Sequence, residues 1–211
     1  MINAENVLKE LNTNGICIIP NYWSIEKCNF AIQEISILQQ NLFERGQGGD
    51  FRCQHSNKYL KTSLEFMNDE FIQGIANEYS NCSLVNRSVL GVVQYNEKET
   101  NDSGGGWHVD SFGRSQFKSF VYLTDVTVDS GPFVFVNKSK DKVHSMETYS
   151  NLRIKEEDIF KFFKENIIEV CGTAGTLILA DTSNIHRGKI IKKGVRVTYT
   201  TYFYDRKKDD S

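Results

Sequence analysis

The chain has 211 residues, 39% hydrophobic and 25% charged, enough apolar material for one substantial core. A formal net charge of −2 offers no basic field for a polyanion, which argues against nucleic acid as the main partner. The longest apolar runs, at 16–19 and 177–180, are far too short to cross a bilayer, so no membrane partner is expected.

The first residues lack the basic start and apolar run of a secretory signal. Five cysteines, odd in number and without a Cys-x-x-Cys pair, argue against a disulfide framework or a structural zinc site. A reducing cytoplasm is therefore the expected compartment, with each cysteine acting as a small buried hydrophobe.

In chain order, Val7, Leu8 and Leu11 share one helical face, and Gly15 is placed to end that helix in a left-handed conformation. Residues 16–19 form a β-branched run stopped by Pro20, a predicted buried strand. Ser24 is a predicted N-cap for a helix carrying Cys28, Ala31, Ile32, Ile35 and Leu38. Residues 40–60 show no clear period and contain Gly46, Gly48 and Gly49, so they are a candidate lid or substrate loop. Leu64, Met67, Phe71, Ile75 and Tyr79 predict a third amphipathic helix.

The texture then changes to short strands, predicted at 90–96, 117–126, 132–136, 167–171, 176–180 and 195–204, with a short helix at 156–164. One α+β domain over residues 1–211 follows, helices first and packed on an antiparallel β-barrel.

The chemistry lies in this second part. Gly104-Gly105-Gly106-Trp107-His108-Val109-Asp110 places an imidazole and a carboxylate two residues apart. In extended backbone both project from one face, and the glycines permit a tight approach. His186 follows an apolar strand and the turn 181–184, and can supply the third ligand from elsewhere in the barrel. Two His and one carboxylate with an open face is the ligand set of non-haem Fe(II) oxygenases. Ten residues on, Arg196 opens a strand on which Arg196, Thr198, Thr200, Tyr202 and Tyr204 share a face. Turned into the barrel, that guanidinium needs an anion, which the far carboxylate of a dicarboxylic keto acid supplies, with a hydroxyl bond from Thr198.

Gln94 and Asn96 precede the metal motif and are candidates for the near carboxylate of the keto acid, as is Lys118 on the next strand. Arg52 and Arg114 are candidate substrate contacts, and the remaining histidines, His55 and His144, lack ligand spacing.

Taken together, these residues resemble the phytanoyl-CoA dioxygenase family of Fe(II)/2-oxoglutarate-dependent oxygenases. The resemblance runs through the strand and helix entered at 15–23, Trp107 to Asp110, Tyr122 to Val126, Ser130 to Phe133, the run 175–181 leading to His186-Arg187-Gly188, and Arg196-Val197-Thr198. It implies a double-stranded β-helix (jelly-roll, cupin-like) core with flanking N-terminal helices. It also implies Fe(II) held by His108, Asp110 and His186, 2-oxoglutarate held by Arg196 and Thr198, O2 as oxidant, and stimulation by ascorbate. The implied reaction is hydroxylation of a small molecule with release of succinate and CO2. Halogenating relatives vacate the carboxylate position, and Asp110 fills it, so hydroxylation or desaturation is favoured.

Two departures stand out. Asn137-Lys138-Ser139-Lys140 replaces the family's Pro-Gly-Ser-His, and no basic cluster suggests a dock for an acyl-CoA. Two competing readings remain, a cupin-like metal-dependent isomerase or lyase and a non-catalytic small-molecule-binding module on the same fold. The first has no need of Arg196, and the intact ligand set argues against the second.

Overall fold

The computed structural model describes residues 2–46, 50–81, 84–95, 105–110, 117–145 and 153–205, without the side chains of 84–87, 144–145 and 204–205. Helix α1 (Ala4–Asn14) is capped by the Asn3 side chain and ends at Gly15, whose φ of 74° is left-handed. Strand β1 (Ile16–Ile19) follows, then α2 (Ile25–Leu42), whose first turn is capped by Ser24 Oγ accepting from Lys27 N. These match the sequence reading, except that β1 is an edge strand, so Ile18 faces outward at 39% exposure.

Two expectations are corrected here. The single helix drawn through Leu64 and Tyr79 is two, α3 (Lys61–Met67) and α4 (Glu70–Ser80). Asp69 breaks it by accepting from Ile72 N and from the Tyr22 hydroxyl, a better use of its carboxylate than a mid-helix position. The stretch 40–60, the candidate lid or substrate loop, carries regular structure that its lack of a period does not show. It contains β2 (Glu44–Arg45), β3 (Phe51–Cys53) and a 3-10 turn at Ser56–Lys58, with β3 paired to β4 (Leu84–Tyr95). Gly48 and Gly49 lie outside the described residues.

The remaining elements are β5 (Phe117–Tyr122), β6 (Phe133–Val136), α5 (Lys140–Ser145), α6 (Glu156–Phe163), β7 (Ile167–Val170), β8 (Leu177–Asp181), β9 (His186–Gly188) and β10 (Val195–Asp205). They form a seven-stranded sheet ordered β1-β8-β5-β10-β4-β3-β2 and a three-stranded sheet ordered β7-β6-β9. His108 extends the smaller sheet by bridging to His186 on one side and Arg153 on the other. All the pairings between these strands are antiparallel.

Alternation along the strands assigns each face a task. On β10, Val197, Tyr199 and Phe203 pack outward with Leu11, Ile35, Phe66 and Ile75 of the N-terminal helices. Arg196, Thr198, Thr200 and Tyr202 face the interior. Between the sheets, Ile16, Tyr122, Phe133, Phe135, Val170 and Ile178 form a second core. The buried Tyr122 hydroxyl donates to Val170 O at 2.9 Å and accepts from Phe133 N at 3.0 Å, tying the two sheets together with both its bonding capacities used.

No helix among the described residues is long and apolar enough to cross a membrane. Cys17, Cys28 and Cys53 are buried as expected, whereas Cys171 is exposed, because Cys171 stands just beyond the end of β7. Cys82 lies outside the described residues.

Candidate metal centre

His108 and His186 are direct cross-strand partners. His108 N donates to His186 O at 3.0 Å and His186 N to His108 O at 2.9 Å, a hydrogen-bonded antiparallel pair whose side chains leave the same face. Their ring centroids are 4.2 Å apart. Asp110, two residues beyond His108, returns to that face, with its N–H donating to Thr182 O at 3.1 Å. The intervening side chains point the other way: Trp107, Val109 and Ile185 join Val134, Ile159 and Phe163 in a core behind the small sheet. Burying Val109 and Ile185 contributes roughly 1.5–3 kcal/mol each, and this anchors the alternation that presents the polar residues. The Arg187 guanidinium lies over the Trp107 ring, 4.2 Å from its centroid, and pins the segment after His186 to the segment before His108.

One ligand atom from each of His108, Asp110 and His186 lies within 4.8 Å of the other two. His186 Nε2 is 3.5 Å from Asp110 Oδ2, and His108 Nε2 is 3.9 Å from Asp110 Oδ1. The opposite ring nitrogens are engaged with main-chain carbonyls, His108 Nδ1 with Gly106 O at 2.8 Å and His186 Nδ1 with Asn184 O at 2.9 Å. A carbonyl can only accept, so each Nδ1 carries the proton and each Nε2 presents a lone pair.

Burial lowers the pKa of both rings, that of His186 to about 3, with the adjacent His108 adding to the effect. Burial works against the charge of Asp110. His186 and the Lys118 ammonium outweigh it and hold the carboxyl well below its ordinary range. Lys118 Nζ is 2.6 Å from Asp110 Oδ2, yet that oxygen has no well-aligned hydrogen bond. Two neutral imidazoles beside an ionised carboxylate fit a divalent transition metal.

The turn that delivers His186 is itself braced. Asp181, fully buried at the end of β8, accepts from the Tyr79 hydroxyl at 2.9 Å, Lys140 Nζ at 3.0 Å and Ser183 N at 3.0 Å. Asn184 donates from Nδ2 to Asp181 O and accepts Lys140 N at Oδ1. The carbonyls of Thr182 and Asn184, held by this turn, are those that receive Asp110 N and His186 Nδ1. Sequence reading marked the turn but not its bracing, because Tyr79 and Lys140 are remote along the chain.

The three residues line a cavity of about 310 Å³ that also holds Arg196, Thr198 and Gln94. Arg196 is half-buried and donates through Nη2 to Gln94 Oε1, its cross-strand partner. Among the described residues it has no carboxylate within ion-pairing distance, so its charge faces the cavity. Arg52 also lines the cavity but is paired with the buried Asp50, 2.8 Å from Oδ2. Lys118 lines it as well, 7% exposed, with Nζ 4.5 Å from the Tyr202 ring centroid. Tyr122, Phe133, Lys189 and Tyr202 complete walls that sequence reading assigned to no site. Their alternation marked an inner face without telling a filled barrel from a hollow one. His55 is exposed and away from the cavity, whereas Asn96, Arg114 and the His144 side chain lie outside the described residues.

The sequence matches no protein-family model and no curated protein. Solved structures do match in shape. The epimerase SnoN, in complex with Fe3+, alpha ketoglutarate and nogalamycin RO, superposes with a TM-score of 0.76 at 15% identity over 96% of this chain and 83% of its own. The alpha ketoglutarate dependent carbocyclase SnoK from nogalamycin biosynthesis gives 0.69 at 17% identity over 97% and 86%. HygX from Streptomyces hygroscopicus, with nickel, 2-oxoglutarate and hygromycin B bound, gives 0.66 at 15% over 95% and 87%. At such identities the likeness establishes the fold, an α+β chain built on a double-stranded β-helix core with helices packed on its larger sheet.

Proposed function

We propose that the chain is a non-haem Fe(II)- and 2-oxoglutarate-dependent enzyme acting on a small molecule, with His108, Asp110 and His186 as metal ligands. The observation that carries this reading is the convergence of two imidazole Nε2 atoms and one carboxylate in the same cavity as an Arg with no carboxylate at ion-pairing distance among the described residues. A cupin-like isomerase or lyase without a keto acid has no use for that guanidinium. Iron with 2-oxoglutarate, when bound, supplies the oxidising power for attack on a C–H bond, with succinate and CO2 as co-products.

The chain's own residues do the rest. The Nδ1 bonds to Gly106 O and Asn184 O fix the orientation of both rings. Arg196, steadied by Gln94, receives the far carboxylate of the keto acid through its planar fork, and Thr198 lies two residues along the same face. Phe120, Phe133 and Leu90 provide apolar wall that keeps bulk water from the reacting centre.

Hydroxylation is the outcome we favour, since Asp110 occupies the carboxylate position. The structural neighbours, which include an epimerase and a carbocyclase, support a second outcome on the same metal without net oxygen insertion. Incubation of a metabolite extract with enzyme, Fe(II), 2-oxoglutarate, ascorbate and O2 tests both. Succinate release with a product heavier by one oxygen supports hydroxylation. An unchanged product mass, or a loss of two hydrogens, selects epimerisation or ring closure and desaturation. Absence of succinate with every fraction would overturn the assignment.

A further inference from the structure

The cavity is charged at both ends. Along β10 the interior residues are paired across the sheet in rows: Arg196 with Gln94, Thr198 with Tyr122, Thr200 with Phe120, and Tyr202 with Lys118. Six residues separate the first row from the last, about 20 Å of strand. The Arg196 end suits the far carboxylate. At the other end Lys118, nearly buried, sits between the Asp110 carboxylate and the face of the Tyr202 ring.

The charges among the described lining residues do not balance once the metal centre is filled. Asp50 is matched by Arg52, and Lys189 by Glu169 at 2.6 Å. Asp110 alone then faces both Lys118 and the divalent ion. A dianionic keto acid compensates Arg196 and one of the charges at the metal, which leaves one positive charge beside Lys118. With the Asp110 charge shared by an ion, the ammonium keeps its contact with the Tyr202 ring and adjoins the row of Leu90, Thr200 and Phe120. An uncompensated buried ammonium costs several kcal/mol.

We propose that Lys118 and Tyr202 form a second anion subsite, one that takes a carboxylate beside the metal at the end of the cavity opposite Arg196. This rests on the metal and keto-acid reading above. Both carboxylates of the keto acid are already used in that charge balance, so the carboxylate comes from an acidic group on the substrate, whose apolar body would lie against Leu90 and Phe120.

Calorimetric titrations of Mn(II)-loaded protein at equal metal content test this. The probes are 2-oxoglutarate, 2-oxopentanoate (which keeps only the near carboxylate), and benzoate added after 2-oxoglutarate as a stand-in for an acidic substrate. The expected result is that Lys118→Met weakens benzoate tenfold or more and leaves both keto acids unchanged. Equal weakening of both keto acids with benzoate spared would place Lys118 on the near carboxylate of the keto acid instead and overturn the proposal. Lys118→Arg restores most of the benzoate affinity, which a purely structural role would not produce. Should none of the three titrations respond to Lys118→Met, the ammonium is no more than the partner of Asp110 and the proposal is overturned. Failure of the wild-type protein to bind 2-oxoglutarate would instead sink the reading beneath it, and the benzoate titration would still test the Lys118 subsite alone.

Discussion

His186 is uncharged in the folded chain near neutral pH, because burial and the neighbouring His108 ring bring its pKa from 6.5 to about 3. An unfolded chain protonates this ring near its ordinary value, so between those two pKa values the unfolded state binds more protons. Stability contributed by the neutral ring is therefore complete above about pH 6.5 and is lost progressively as pH falls toward about 3. Metal-free wild-type protein should lose more of its thermal midpoint between about pH 7 and about pH 5 than His186→Gln does. An equal loss in both would show that this ring is not held neutral. Arg196 gives the other prediction at this scale. Replacing it with Met removes a charge-assisted fork and should weaken 2-oxoglutarate binding to the Mn(II) protein by about 2 kcal/mol, about thirtyfold. Calorimetry showing unchanged affinity would remove Arg196 from the site.

At the scale of elements, the two sheets are held at a separation that leaves a cavity, and the entry to β8 is one of the tightest joints. Gly175 has φ of 91°, and a Cβ there would stand 2.1 Å from the Trp23 carbonyl oxygen. Its own carbonyl accepts Trp23 N at 3.1 Å, tying the start of α2 to β8. Gly175→Ala should therefore cost about 3 kcal/mol, a midpoint drop of about 6–12 °C by calorimetry. A variant as stable as the parent would show that the loop adapts freely.

The same elements show what sequence alone conveys. Local signals were legible: the Ser24 cap, the left-handed Gly15, and the period-two pattern that turns Arg196 inward and Val197 outward. His-x-Asp followed by a distant His and Arg marks the candidate site, because spacing along a strand fixes which side chains share a face. Pairing was not legible. That His108 and His186 are direct cross-strand partners depends on register between segments far apart in the chain, as does the bracing of the 181–184 turn by Tyr79 and Lys140. The edge hairpin at 44–53 lacked a period because two- and three-residue strands are too short to show one. Lys118 was legible as inward-pointing, but its place against both Asp110 and Tyr202 was not.

At the scale of the whole molecule, the proposed ligand set is drawn from two segments far apart in the chain, 108–110 and 186, so metal binding would be linked to folding. An ion that binds only the native state at a hundredfold excess over its Kd stabilises by about 2.7 kcal/mol, a rise of about 5–10 °C in the midpoint for a chain of this size. Mn(II) with 2-oxoglutarate should produce such a rise in the wild-type protein, and His108→Ala should abolish it. The most direct test of the central claim is calorimetric titration of Mn(II) into the metal-free chain and into His108→Ala, Asp110→Ala and His186→Ala, followed in each case by 2-oxoglutarate. One ion per wild-type chain, none in the three variants, and keto-acid binding that requires the ion are the predicted results. Keto-acid binding that is indifferent to the metal, or metal uptake that survives loss of His186, would contradict the account.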